Sequence, residues 1–158
     1  MKEFSYTELL VRYVPFIDQL TDNELSLELM HLSPRDLVKD WVPAFYFSMR
    51  CKENHAGQIQ LRVGQIPEIL LYRGHIGYGV DPEYRGRHFA SRSVKLLLPL
   101  ARELELRCIV ITCDPENIPS RRSLEIAGGT YENTVDIPDS EPMYIEGARQ
   151  RMRFLFTL

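Results

Sequence analysis

The sequence predicts an α+β domain, a central mixed β-sheet flanked by helices, with a parallel strand-helix-strand unit inside it. Three observations lead there. Strand-like runs at 44–50 and 58–63 precede a strand, turn and helix across 75–104. A buried strand follows at 107–113, and two more, 131–137 and 152–158, close the chain. At 158 residues the chain fits one domain, taken here as 1–158.

In order along the chain, Leu9, Leu10, Tyr13, Phe16, Ile17 and Leu20 recur at helical spacing, and Pro15 is expected to kink or split that helix. Ser33-Pro34-Arg35-Asp36 places a capping serine before proline, which predicts a second short helix toward Trp41. The period then changes to two, with a polar hairpin loop expected at 52–57. The run 69–72 is left open between strand and helix. His75 to Val80 reads as a strand, and Val94, Leu97, Leu98, Ala101 and Leu104 share one face of the following helix. Pro99 inside it predicts a kink or an early end. The strand 107–113 completes a right-handed crossover, and a short helix at 118–127 is stopped by Gly128-Gly129. An acidic, proline-bearing connection at 139–147 is placed on the substrate side.

Composition narrows the function classes. Hydrophobic residues are 44% and charged residues 26%, ordinary for a globular domain, and no apolar run approaches the ~20 residues of a membrane span. The first ten residues lack a secretory pattern, so a cytoplasmic location is expected. Net charge of −3 argues against a nucleic-acid partner. Cys51, Cys108 and Cys113 lack metal-ligand spacing and are read as free thiols, with no metal site.

Chemistry concentrates in Arg85-Gly86-Arg87-His88-Phe89-Ala90-Ser91, between a strand and a helix start. Unpaired N–H groups and the positive helix end there can receive a pyrophosphate. Gly86 permits close approach, Ala90 and Ser91 are small, and Arg85 and Arg87 add positive charge. An ordinary arginine-bearing turn is the alternative.

These residues resemble the GNAT superfamily of acetyltransferases, whose cofactor motif runs Arg or Gln, two residues, Gly, one residue, then Gly or Ala. Arg85 and Ala90 match its ends, and His88 stands at its central glycine. Gly74 to Tyr78, Thr112 to Asp114, Asn117, Ser120 and Gly128-Gly129 extend the resemblance to a subgroup of predicted acetyltransferases. The resemblance implies acetyl-CoA as cosubstrate and an amine-bearing acceptor. It places Gly79 and Val80 beside the pantetheine arm, Gly86 through Ser91 around the pyrophosphate, and Asn117, with Ser120 secondary, near the cofactor arm. Asn117 is equally apt as a helix cap. The fold also allows a homodimer through its last strands.

The family's usual carboxylate positions hold Thr112 and Gly74, and its tyrosine acid is replaced by Leu124. His75 is then the candidate base, by its ordinary pKa near ~6.5, with a structural histidine as the alternative; Tyr78 ranks after it. Cys113 is read as a buried thiol rather than an acyl carrier. Trp41, Phe45 and Tyr46 are open between pocket and core, and the acidic region around 136–146 would suit a cationic acceptor. Two other functions remain open: a noncatalytic acyl-CoA-binding or sensing module, and, less well supported, a nucleotide-binding domain.

Overall fold

The computed structural model describes residues 6–158, and the side chains of these except Tyr6, Thr7, Leu9 and Leu10. The expected contacts of Leu9 and Leu10, and the reading of residues 1–5, lie outside the described residues. Helix α1 (Tyr6–Ile17) is continuous, burying Tyr13 and Ile17 one turn apart. The expected break at Pro15 does not occur. Proline removes the bond to the carbonyl of Val11, but Val11 is 74% exposed and water can take that carbonyl.

Strand β1 (Leu25–Ser33) was not anticipated from the sequence. Leu25 and Leu27 alternate inward, then a bulge between Leu29 and His31 resets the face so that Leu32 is buried too. The expected helix after Ser33 is absent. Asp36 and Trp41 exchange backbone hydrogen bonds, and Asp36 Oδ1 accepts from the N–H groups of Val38 and Lys39. The carboxylate bonds alone would cap a helix, but the paired backbone bonds between Asp36 and Trp41, with Asp40 at a left-handed φ of 51°, turn the chain back before a second helical turn can form.

Strands β2 (Ala44–Cys51) and β3 (Asn54–Arg62) form a hairpin whose turn is shorter than the expected 52–57 loop. Lys52 adopts a left-handed φ of 56°, so pairing resumes at Asn54. The undecided run becomes a π-helical turn, Ile69–Arg73, closed by the Gly74 N–H on the Ile69 carbonyl. Strand β4 (Ile76–Val80), helix α2 (Phe89–Glu103) and strand β5 (Cys108–Cys113) follow as expected. Pro99 neither ends α2 nor strands a buried carbonyl, because Lys95, four residues earlier, is exposed. Helix α3 (Ile118–Ala127) stops at Gly128, which is left-handed. Strands β6 (Thr130–Asp136) and β7 (Gln150–Thr157) flank a short helix α4 (Pro142–Ile145).

The strands divide into two antiparallel sheets, β1-β2-β3-β4 and β5-β7-β6. Phe45, Phe47 and Leu61 from the first, Ile109, Ile111 and Phe154 from the second, and Val94 and Leu97 from α2 share one core. Fully burying a side chain such as Leu97 contributes about 2 kcal/mol. The strand-helix-strand unit is present as β4–α2–β5, but its strands belong to different sheets. His75 N–H donates to the Val110 carbonyl at 2.7 Å, while His75 Nδ1 accepts the Val110 N–H at 2.9 Å. A side chain thus takes the donor that a continuing ladder would use, and a crevice is left between the strands.

Candidate active site

Between β4 and α2 the chain makes a 3-10 turn, Pro82–Tyr84, then passes through Gly86 at φ 79° and His88 at φ 59°, ψ 24°. Gly86 accepts that backbone without strain. His88 keeps the left-handed conformation a glycine would favour, but makes no side-chain cap bond to α2. The first N–H groups of α2 therefore lack a cap from its own N-cap residue, an arrangement suited to an anion. Arg85 turns back to donate from Nε to the Val80 carbonyl at 3.1 Å.

These groups open on a cleft of about 780 Å³. It brings together Tyr78, Gly79, Val80, Arg85, Gly86, His88, Phe89, Ala90, Asn117 and Ser120, ten of the residues singled out in the sequence. Phe89 is almost wholly buried and stacks on Tyr84 with centroids 6.0 Å apart, which fixes the helix start. Asn117 is the N-cap of α3: its Oδ1 accepts the Ser120 N–H at 3.1 Å, so the capping role is realised at the cleft edge. Tyr78 hydroxyl lies 2.9 Å from Ser120 Oγ, and burial pushes its pKa up to about 12.

Three expected site residues sit elsewhere. Arg87 pairs with Glu24 and lies over the Phe89 ring at 5.0 Å, its charge already matched outside the cleft. Glu24 also holds Arg92, which bonds Asp22 through two nitrogens at 2.7 Å. Ser91 is buried, its hydroxyl donating to the His88 carbonyl at 3.0 Å. His75 is fully buried, with Nδ1 engaged by Val110 N–H. Burial drives its pKa down to about 4, against the opposing pull of the Val110 and Gly64 backbone. A ring sealed at the foot of the crevice does not fit the general-base role expected of it.

The positions expected to lack catalytic groups are structural. Thr112 Oγ1 donates to the Tyr72 carbonyl at 2.9 Å, and Leu124 is fully buried. Cys113 is buried and its thiol is raised by that burial, consistent with an inert core cysteine. Phe45 belongs to the core, whereas Tyr46 borders a second cavity and Trp41 is 53% exposed. The acidic connection is partly neutralised: Glu141 is buried against Arg73, at 2.8 Å and 3.0 Å. That weakens the case for a cationic acceptor.

Sequence reasoning missed Tyr84, Arg122 and Ile126 in the cleft wall. Ile118, Arg122 and Ile126 recur every four residues on α3, and both isoleucines are about half exposed, at 47% and 48%. That stripe of apolar residues around an arginine was legible in the sequence. Among the described residues no group of three or more His, Cys, Asp or Glu is arranged to hold a metal. No helix among them is long and apolar enough to cross a membrane.

A family model described as an acetyltransferase (GNAT) domain matches residues 4–130. Over 54 residues the chain is 37% identical to the uncharacterized N-acetyltransferase YnaD of Bacillus subtilis, a stretch covering 34% of this chain and 32% of that protein. Mycobacterium smegmatis RimJ, solved with a CoA-disulfide, is similar with a TM-score of 0.58 at 24% identity, covering 72% of this chain and 53% of that one. The microcin C7 self-immunity acetyltransferase MccE, solved with acetyl-CoA and AMP, gives 0.58 at 17% identity, covering 73% and 61%. RimL, a ribosomal alpha-N-protein acetyltransferase solved with coenzyme A, gives 0.58 at 18% identity, covering 77% and 64%. The matches thus span about a third of the curated relative and less than two thirds of these solved chains. At these identities the structural likeness is one of fold.

Proposed function

Because the chain belongs to the GNAT acetyltransferase family, we propose that residues 1–158 act as one N-acetyltransferase domain moving acetyl from acetyl-CoA to an amine by direct attack. The observation that carries this reading is the convergence of a strand end, the start of α2 and the start of α3 on one cleft. Gly79 and Val80 offer main chain to the pantetheine arm, and the turn from Arg85 to Ala90 offers N–H groups to the pyrophosphate. Arg122, between Ile118 and Ile126, suits a phosphorylated end that carries a flat apolar ring.

In the transfer, the amine nitrogen attacks the thioester carbonyl, the C–S bond breaks, CoA departs as thiolate, and the proton shed by the attacking nitrogen passes to solvent. An N–H of β4 near Tyr78 to Val80 polarises the carbonyl. Tyr78, protonated at neutral pH, donates a hydrogen bond to the leaving sulfur and keeps its proton, because a thiol near ~8.5 is the stronger acid. RimL, which shares the fold, is an alpha-N-protein acetyltransferase, and this supports an amine as acceptor.

The burial of His75 supports a second reading, an acyl-CoA sensor without turnover. Calorimetry with acetyl-CoA and thiol release over an amine panel separate the two. Binding with turnover is expected, binding without turnover on any amine favours the sensor, and absence of binding removes both.

A further inference from the structure

A second cavity, of about 590 Å³, lies on the face of the first sheet opposite the one whose Phe45, Phe47 and Leu61 join the core. Strand register builds it. Tyr46 pairs with Gln60 and Gln60 with Gly77; Ser48 pairs with Gln58 and Gln58 with Gly79. Cross-strand partners share a face, so two polar rows run over the sheet and each ends on a glycine of β4.

Those glycines leave β4 bare. A Cβ on Gly77 would meet the Gln60 side-chain nitrogen at 2.9 Å, which shows the Gln60 amide lying over the strand. Gly79 is different: nothing lies within 4 Å of where its Cβ would be, and its φ is not left-handed. Neither packing nor backbone requires glycine there. What its missing side chain leaves free is the space over β4 between the second cavity and the cleft, which share Tyr78 as a wall.

We propose that the second cavity is the acceptor subsite, and that the amine reaches the thioester across β4 at Gly77 and Gly79. The acceptor is an amine on an uncharged, amide-bearing chain, not a polycation; this rests on the acetyl-transfer reading. The chemistry of the wall selects it. Gln58 and Gln60 offer amide donors and acceptors, and Tyr46 and Ser48 offer hydroxyls. His55 is engaged on both sides, with Nδ1 2.7 Å from Ser48 Oγ and Nε2 3.7 Å from Asp81. None of the lining residues is a carboxylate, and the two that border the wall are already matched, Glu28, the cross-strand partner of Ser48, by Arg50 at 3.5 Å and Asp81 by His55, so a chain of ammonium groups would lose water without gaining a free counter-charge. An α-amine, with a pKa near ~7.7, presents a neutral nucleophile without needing one.

The test uses the full chain saturated with CoA, titrated calorimetrically with seryl-alanyl-alanine amide and with spermidine. The tripeptide amide is expected to bind more tightly than spermidine. Gln58→Leu/Gln60→Leu should weaken the tripeptide about fivefold or more while CoA affinity stays within about twofold. Gln60→Glu, which adds the missing carboxylate, should shift preference toward spermidine. Tighter binding of spermidine to the wild type, no binding of the tripeptide, or unchanged tripeptide affinity in both variants would overturn the acceptor assignment. Failure of CoA itself to bind would instead strike the acetyl-transfer reading.

Discussion

Replacing His88 with glycine separates backbone strain from ligand contact in the cofactor turn. His88 holds φ 59° and ψ 24° at the N-cap of α2, a left-handed conformation that costs a residue bearing a Cβ about 1–2 kcal/mol. Glycine removes that cost but gives back about 0.5–1 kcal/mol through the entropy of the unfolded chain. The net is a gain of about 0–1.5 kcal/mol, an upward shift of at most ~6 °C in Tm for a chain of this size. The imidazole also lines the cleft. Removing it should tighten acetyl-CoA about threefold to tenfold, equivalent to ~0.7–1.4 kcal/mol. Urea denaturation reads the first effect and calorimetry the second. His88→Ala is the control: it keeps the Cβ and the strain but clears the imidazole, so it should improve binding without improving stability. A His88→Gly protein that binds acetyl-CoA more weakly than the parent would refute this reasoning and make the imidazole a ligand contact.

Other perturbations probe other parts of the structure. His75→Ala should destabilise by about 2–4 kcal/mol, since it opens a cavity and leaves the Val110 N–H without its acceptor; turnover per folded molecule should hold, and a selective loss of kcat would restore the base role. Arg122→Ala should weaken CoA about tenfold and dephospho-CoA much less; equal losses for the two ligands would remove Arg122 from the phosphate. Asp22 is held below the usual carboxylate range, chiefly by its hydrogen bonds from Arg92. Its stabilising contribution is therefore complete above an unfolded pKa near ~3.9 and is lost as pH falls through the lower folded value. Acid titration of stability should show a shallower fall below pH ~4 in Asp22→Asn than in the parent, and parallel curves would exclude the linkage.

How much was legible in the sequence depended on how local the determinants are. Strands β4 and β5 are set by their own periodicity and Gly128 announces the end of α3, so these were placed within a residue or two, whereas α2 runs past Pro99 to Glu103 and the 3-10 turn at Pro82–Tyr84 left no periodic signal. Strand β1 hid because its bulge breaks the alternation of Leu25 and Leu27 before Leu32 restores it. The helix expected after Ser33 failed because Asp36 and Trp41 bond each other's backbone across a turn that passes through left-handed Asp40, a pairing that capping signals do not reveal. At the cleft, the turn was visible because it is contiguous. Arg87 was misplaced because its partner Glu24 lies 63 residues away, and the polar rows from Tyr46 and Ser48 to β4 exist only once the strands are in register.

The clasp joining Asp22 and Glu24 to Arg92 and Arg87 has a consequence for how the cleft responds to its surroundings. With Arg87 neutralised outside the wall, an anionic ligand meets main-chain donors and few mobile cations. Fixed dipoles act at contact range, whereas free side-chain charges act over a Debye length of ~8–10 Å. The contacts at the pyrophosphate turn should then vary little with ionic strength, and the salt dependence of acetyl-CoA affinity should come chiefly from Arg122. Releasing Arg87 by removing Glu24 would make the same cleft more salt-sensitive, so the segment ahead of β1 acts as an electrostatic insulator for a turn it does not line.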